Sequence, residues 1–137
     1  MTKLNPYLNF NGNAREAIEF YKSVFGGKLV MNTFKEFHAS HDSSDDDKIM
    51  HSMLETNNGM TIMAADIPKG WNHNPGENIS ISLSGENDDE LTGYFNKLSV
   101  DGTIHEALKS APWGDKFGML LDKFGIRWMV NINVKKT

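Results

Sequence analysis

Apolar and polar positions alternate along this chain in two ways, one typical of strands and the other typical of helices. From Leu4 to Asn11 every second side chain is apolar, which predicts a strand with Pro6 near its opening. Asn13 then offers a helix N-cap, with Glu16 at the capping-box position. Gly26-Gly27 ends the predicted helix, because glycine adopts left-handed backbone angles without steric cost. The helical spacing predicts a buried face of Ala14, Ala17, Ile18, Tyr21, Val24 and Phe25.

Three further strands are predicted in the first half of the chain. Lys28 to Phe37 is rich in β-branched and aromatic residues, and it runs into a polar stretch, His38 to Asp47, that we expect to be a solvated loop. Ile49 to Thr56 and Met60 to Ala65 are apolar runs separated by Asn57-Asn58-Gly59. Because Asn-Gly is a strong hairpin signal, these two strands are predicted to be antiparallel neighbours.

The same order of elements recurs after a connector with several prolines and glycines. Asn78 to Ser84 alternates isoleucine and leucine with polar residues, so it predicts a strand with one apolar and one polar face. Asn87 to Glu90 places acid at the start of a second helix, which Asp101-Gly102 closes. The remaining predicted strands are Thr103–Leu108, Gly118–Asp122 and Ile126–Val134. The chain therefore predicts one α+β domain, 1–137, with module 1 at about 1–66, a connector at about 67–77 and module 2 at about 78–137.

Charge and composition exclude several classes of function. Among 137 residues, 14 are Lys or Arg and 18 are Asp or Glu, so the net charge of -4 disfavours a nucleic acid partner. The absence of cysteine excludes disulfides, thiolate nucleophiles and cysteine-ligated zinc. Met1 to Pro6 becomes polar before an apolar run develops, and no stretch is long and apolar enough to span a bilayer. We expect a cytoplasmic protein with no membrane partner.

The run from Pro6 to Asn13, followed by Glu16-Ala17 and Phe20-Tyr21, resembles the PhnB-like branch of the vicinal-oxygen-chelate superfamily. That superfamily includes glyoxalase I, bleomycin-resistance proteins and extradiol dioxygenases. Further matching segments are Ile49-Met50-His51, Gly59 to Met63 with Asp66, Asn78 to Leu83, Trp113-Gly114, Phe117 to Met119, and Asp122 to Gly125 with Trp128. The resemblance implies two βαβββ modules that form a curled mixed sheet around a cleft, with the helices outside.

The resemblance also identifies where a metal site would lie. In metal-using relatives the ligands occupy the first and last strands of each module, which correspond here to Pro6, Met63, Asn78 and Met129. Proline has no ligating side chain, a neutral amide binds divalent ions weakly, and thioethers suit soft metals. We therefore expect the familiar divalent metal site to be missing and no cofactor. An adenosyl cofactor is not expected either, since the chain has no glycine-rich strand-to-helix turn.

The candidate chemistry centres on His51, which lies inside an apolar strand and is a candidate general base or lone ligand. Glu55 shares its face of the strand by parity. The competing interpretations are a structural histidine in the sheet and a charge at a strand end. The predicted ligand-binding residues are Met53, Met63, Asn78, Ser80, Trp113 and Met129.

These residues favour a protein that binds a small apolar or mixed metabolite in the sheet cleft without converting it. The alternative is an enzyme of lyase, isomerase or dioxygenase type that uses His51 at a relocated or metal-assisted site. A purely structural interaction module is the third class, and it predicts an interior without a pocket.

Two further expectations concern the loop and the assembly. His38 and His41 lie beside four aspartates, but a flexible serine-rich loop does not preorganise ligands, so we expect a solvated loop there rather than a metal site. We also predict a two-fold homodimer, with the segment Ala111 to Gly118 and the connector around Trp71 at or near the contact.

Overall fold

The computed structural model describes residues 1–134, and it divides into two compact units. Unit 1 is Met1–Pro75 and unit 2 begins at Gly76, so the boundary lies within the predicted connector. Each unit contains one α-helix and a four-stranded mixed sheet in the order βαβββ. The predicted α+β class with two βαβββ modules is therefore confirmed, while the expectation of a single domain stays a prediction.

Unit 1 has its sheet in the order β1-β4-β3-β2, with β1 parallel to β4 and the other neighbours antiparallel. Its elements are β1 (Tyr7–Phe10), α1 (Ala14–Phe25), β2 (Lys28–Thr33), a 3-10 turn (Ser43–Asp45), β3 (Ile49–Glu55) and β4 (Thr61–Asp66). All six residues predicted for the buried face of α1 are buried. They pack over the even-numbered side of β3 and β4, where Leu54, Ile62 and Ala64 are buried.

Unit 2 repeats this arrangement with the order β5-β8-β7-β6. Its elements are β5 (Ile81–Gly85), α2 (Asp88–Leu98), β6 (Thr103–Ser110), β7 (Lys116–Leu121) and β8 (Arg127–Ile132). The stripe of α2 buries Leu91, Phe95 and Leu98, and a Cβ added to Gly118 would lie 2.7 Å from the Phe95 ring. Helix α2 therefore packs directly on the face of the sheet that contains Gly118.

The predicted hairpin of β3 and β4 forms, β7 and β8 form a second one, and the two turns are built alike. Thr56 N donates to Met60 O at 2.8 Å, and Asp122 N donates to Ile126 O at 2.9 Å. Gly59 and Gly125 close these turns with φ of 81° and 85°. A left-handed backbone conformation at these positions explains the glycines.

The strand predicted from Asn78 begins later than expected. Strand β5 starts at Ile81, which pairs with Trp128, and Ile79 before it is 77% exposed. Strand β8 begins at Arg127, after the turn closed by Gly125, so this register leaves Asn78 and Ile79 opposite the turn rather than opposite a strand. The alternation of apolar and polar residues correctly predicted a strand, but its first residue is determined by the pairing with β8.

Two local expectations were wrong in unit 1. Asn13 makes no side-chain cap at α1; instead the Asp66 carboxylate accepts from Gly12 N at 2.9 Å and from Ala14 N at 3.0 Å. The loop His38 to Asp47 is not wholly solvated, because Asp45 is only 2% exposed and accepts from the backbone N–H of Lys69. In both places a carboxylate accepts hydrogen bonds from backbone N–H groups that are far away in the sequence. Local sequence patterns do not reveal such bonds.

No helix in residues 1–134 combines the length and the apolar character that crossing a bilayer requires.

Candidate functional site

Each sheet has its own unit's helix on one face, and we call the opposite face the open face of that unit. In unit 1 the open face carries a row of side chains from four adjacent strands. The backbone register aligns Val30, Met53, Met63 and Tyr7 in this row. Met53 and Met63 are directly opposite each other and half-buried. The face is therefore mainly apolar at its centre.

His51 lies on the same open face, one row further along. It pairs with Asn32 of β2, and its imidazole ring lies 6.4 Å from the Tyr7 ring, centroid to centroid, at an interplanar angle of 34°. The imidazole is half-buried. Tyr7 thus flanks both His51 and Met63, so an aromatic ring, an imidazole and two thioethers share one side of the sheet.

The open face of unit 2 has the same central pair with different neighbours. Met119 and Met129 are directly opposite each other in β7 and β8, and the row continues to Ser82 of β5 on one side and to Glu106 of β6, the register partner of Met119, on the other. The next row contains Phe117, Asn131 and Ser84. Because both pairs follow equivalent turns, Met53 corresponds to Met119 and Met63 to Met129.

Trp113 joins the open face of unit 2 from the loop before β7. Its indole Nε1 donates to Asn131 Oδ1 at 3.2 Å, and its ring meets Phe117 edge-on at a centroid distance of 5.3 Å. Asn131 Nδ2 in turn donates to Asp115 Oδ2 at 3.1 Å. The indole remains 55% exposed. An aromatic surface is thereby held beside hydrogen-bonding side chains, as ligand sites require.

The predicted site residues fall into separate groups. His51, Met53 and Met63 share the open face of unit 1, whereas Met129 and Trp113 lie on that of unit 2. Asn78 and Ser80 are exposed and precede β5, so neither belongs to a sheet face.

Glu55 shares the strand and the parity of His51, but it lies four residues along. At the usual rise of a strand, that separation is about 13 Å between Cα atoms. The two side chains together do not span this distance, so the geometry argues against a direct hydrogen bond between His51 and Glu55. Glu55 is exposed at the end of β3, opposite Lys28.

Sequence reasoning missed three residues of these faces, Tyr7, Phe117 and Asn131. Two signals were available. The hairpin glycines fix which residues of β3 and β4, and of β7 and β8, lie opposite each other, and a period of two then puts Asn131 on the side of Met129. The parallel pairing of β1 with β4 brings Tyr7 beside Met63, and no local signal in the sequence fixes that register.

The metal positions implied by the resemblance change slightly with this register. Met63 lies beside Tyr7 and Met129 beside Ser82, so Tyr7 and Ser82 replace Pro6 and Asn78 as the neighbouring strand positions. Phenol, hydroxyl and thioether groups form a poor donor set for the divalent ions of this fold. No group of three or more His, Asp or Glu side chains within residues 1–134 is arranged to hold a metal. The residues at these positions do not fit the divalent site.

The acidic loop of unit 1 is stabilised by hydrogen bonds and lysines. Asp42 accepts from the Ser44 hydroxyl at 2.6 Å and from Lys69 Nζ at 3.1 Å, and these bonds, led by Ser44, hold the pKa of Asp42 far below its usual range. Asp45 forms an ion pair with Lys48 at 2.9 Å, which lowers the pKa of its carboxyl. These carboxylates organise the loop and already have cationic partners.

Neither helix N-terminus is open to an anionic group. The Asp66 carboxylate occupies the start of α1, and at α2 the Asn87 side chain accepts from Glu90 N at 3.1 Å. Asp88 adds negative charge there, and hydrogen bonds from Lys116 and Thr92 lower its pKa. The usual anion-binding position of a helix is therefore filled or repulsive in both units.

Solved structures place the fold in a known class. Two proteins of the glyoxalase/bleomycin resistance protein/dioxygenase group match the chain with TM-scores of 0.61 and 0.68 at 15% and 12% identity, which shows a shared fold alone. The superfamily fold expected from the sequence is thus confirmed.

The family itself is also shown. A family model described as 3-demethylubiquinone-9 3-methyltransferase matches residues 2–131, and the chain belongs to this family. Protein YjdN of Escherichia coli is 29% identical, over 94% of each chain. The structure of PA1353 from Pseudomonas aeruginosa is 34% identical with a TM-score of 0.83, over 98% of this chain and 100% of that one. A Bacillus cereus structure, titled putative 3-demethylubiquinone-9 3-methyltransferase and PhnB protein, is 30% identical with a TM-score of 0.78, over 96% and 100%.

Proposed function

We propose that this PhnB-like protein binds a small organic molecule with apolar and polar parts on the open faces of its sheets, without the divalent metal of the fold class. The observation that carries this proposal is the methionine pair that recurs at the same register, Met53 with Met63 and Met119 with Met129. A sheet face that only had to pack would bury these side chains, yet all four are half-buried.

The physical chemistry of these faces favours such a ligand. Methionine is flexible and polarisable, so it adapts to ligands of different shape. In unit 2 the row beside the pair contains Phe117 and Asn131, and the Trp113 indole contacts both, so this row supplies stacking and hydrogen bonding. An apolar centre with a few oriented polar groups is the usual composition of a small-molecule site.

A fluorescent probe, anilinonaphthalene sulfonate, tests this proposal in the metal-free protein. We expect saturable binding that persists in a chelator, and the substitution Met129→Gln should weaken it roughly fivefold, equivalent to about 1 kcal/mol. Ile79→Gln is the matched control, because Ile79 is 77% exposed outside the sheet. The proposal fails if the wild type shows no saturation or if both variants lose the same affinity.

A second candidate function is an enzyme of lyase, isomerase or dioxygenase type in which His51 acts as base or ligand. The observation in its favour is the half-buried imidazole beside the Tyr7 ring on the open face of unit 1. His51→Gln should then abolish turnover in a substrate screen while leaving probe binding on unit 2 intact. Unchanged turnover in this variant would remove the enzymatic interpretation, since His51 is its only motivated residue.

We also propose a two-fold homodimer. Trp71 is 70% and Trp113 is 55% exposed, and β6 is an edge strand on which Ile104 is 51% exposed. Exposed edges and large apolar side chains are commonly covered by a second surface. Sedimentation at micromolar concentration should give twice the 15.4 kDa of one chain, and a clean monomer would refute the dimer.

A further inference from the structure

We propose that the open face of unit 1 binds a soft monovalent metal ion, Cu(I) or its analogue Ag(I), through the thioether sulfurs of Met53 and Met63 and the imidazole of His51. This site shares Met63 with the positions of the divalent site of the fold class, but its other two donors, Met53 and His51, lie outside those positions. It also does not depend on the proposed binding of an organic ligand.

The backbone places these donors within reach of one ion. Met53 and Met63 are directly opposite each other on antiparallel strands, where Cβ atoms lie about 5 Å apart. His51 precedes Met53 by two residues on the same face, a separation of about 7 Å along the strand. Because methionine has three rotatable bonds beyond its backbone, both sulfurs are able to turn towards the imidazole.

The donor chemistry selects the ion. Thioethers are soft ligands that favour Cu(I), and imidazole also suits copper, whereas harder divalent ions favour carboxylate and carbonyl oxygens. Glu55 is the acidic residue of β3 on this face, and it is exposed at the strand end. The chain has eight methionines and no cysteine, so its sulfur ligands for a soft metal ion are thioethers.

The aromatic ring of Tyr7, beside the proposed ligands, also favours a bound cation. Tyr7 is the register partner of Met63, and its ring lies 6.4 Å from the imidazole ring of His51. An aromatic ring at the side of the site offers a cation–π contact. All three proposed ligands are half-buried, so the site is partly desolvated and open to an incoming ion.

Unit 2 supplies an internal comparison. It has the equivalent methionine pair, Met119 and Met129, but the residue that corresponds to His51 is Phe117. Unit 2 therefore has two thioethers without an imidazole at this position, and the register partner of Met119 is the acidic residue Glu106. We expect the site to be confined to unit 1, with stoichiometry of one ion per chain.

Competition with a chromophoric Cu(I) chelator, bicinchoninate, tests this under anaerobic conditions with the full chain. The wild type should withdraw one equivalent of Cu(I) from the chelator. Met63→Leu and His51→Asn should each lower the affinity for Cu(I) by at least about tenfold. Met129→Leu, which removes the equivalent sulfur in unit 2, should leave the affinity unchanged.

Two outcomes would overturn the proposal: failure of the wild type to withdraw Cu(I), and equal losses in Met63→Leu and Met129→Leu. X-ray absorption of the loaded protein should show sulfur and nitrogen neighbours, with the nitrogen lost in His51→Asn. Circular dichroism checks that each variant is folded. Binding of anilinonaphthalene sulfonate to the metal-free protein is measured separately, so failure of one proposal is distinguishable from failure of the other.

Discussion

The two units have the same order of elements and the same hairpin turn, yet each places its buried carboxylate at a different point. Unit 1 has Asp66 at the end of β4, where the carboxylate bonds Gly12 N, Ala14 N and Ile49 N. The equivalent residue at the end of β8 is the buried Ile132. One topology thus accepts either a carboxylate or the sec-butyl side chain of isoleucine at this position.

The difference follows from how each helix begins. In unit 1 Asn13 forms no side-chain cap, so the first N–H groups of α1 need an acceptor from elsewhere, and Asp66 supplies it. In unit 2 the Asn87 side chain caps α2 itself, so the end of β8 is left apolar. The comparison shows that a backbone donor must be satisfied, but the position of the acceptor is free to move.

At the hairpin turns the carboxylate lies in unit 2, and unit 1 has a hydroxyl residue at the equivalent position. Thr56 in unit 1 accepts from Met60 N at 3.0 Å, while its equivalent, Asp122, accepts from Phe124 N and Ile126 N. Asp122 Oδ2 also accepts from the indole Nε1 of the buried Trp128 at 2.8 Å. Aspartate is therefore required in unit 2 because the neighbouring core residue carries a polar atom that a threonine hydroxyl at the turn does not satisfy.

The largest effect is expected from Asp66→Ala. This change leaves three backbone N–H groups without their acceptor, which should lower the free energy of unfolding by about 3 to 5 kcal/mol. Urea unfolding followed by circular dichroism measures it. Asp47→Ala, at an exposed position of the same unit, should change stability by less than about 0.5 kcal/mol. Similar midpoints for the two variants would contradict the role of Asp66.

A smaller effect is expected when unit 2 receives the turn residue of unit 1. Asp122→Thr introduces the hydroxyl that accepts at the turn of unit 1 but removes the acceptor of Trp128 Nε1, so it should cost about 2 kcal/mol. A double-mutant cycle with Trp128→Phe should show a coupling energy of about 1 kcal/mol. Strict additivity of the two changes would mean that the indole bond contributes nothing.

The two units also differ on the sheet face that packs against the helix. Gly118 of unit 2 corresponds to Ser52 of unit 1, and an added Cβ at Gly118 would lie 2.7 Å from the Phe95 ring and 3.0 Å from the Leu108 Cα. Gly118→Ala should therefore destabilise by about 1 to 2 kcal/mol through overpacking. Ser52→Ala should cost about 1 kcal/mol, since it only removes the hydrogen bond to Ala64 O. A neutral Gly118→Ala would show that α2 has room to move.

The smallest effect concerns the pH dependence of unit 1. The ion pair with Lys48, followed by the bond from Lys69 N, lowers the pKa of Asp45 from its ordinary value of 3.8. Because the unfolded chain takes up this proton at higher pH than the folded one, the stabilisation is complete above about pH 4 and is lost as the pH falls further. Lys48→Met removes the leading cause, so its stability should depend less on pH.

Urea midpoints between pH 6 and pH 3 measure this dependence. Lys35→Met is the control, because that exposed lysine lies in the same unit and forms none of the ion pairs described above. Parallel curves for wild type and Lys48→Met would contradict the assignment.

Much of the fold was predictable because it depends on local periodicity and on turn residues. The buried stripe of α1 follows helical spacing, and Gly59 and Gly125 mark the hairpins whose partners they fix. Of the site, the sequence indicated His51 and the methionines, since their parity along each strand sets their face. The resemblance led to the correct superfamily because its motifs extend over nearly the whole chain.

The sequence by itself thus determined the order of elements, the helix faces and the methionine-rich strands. The tertiary structure decided what depends on distant partners: that β5 starts at Ile81, that Asp66 caps α1, and that Tyr7 lies beside Met63. It also separated Glu55 from His51, although both share one face. The physical reason is that periodicity is a property of neighbouring residues, whereas strand pairing and the satisfaction of buried donors are set by residues far apart along the chain.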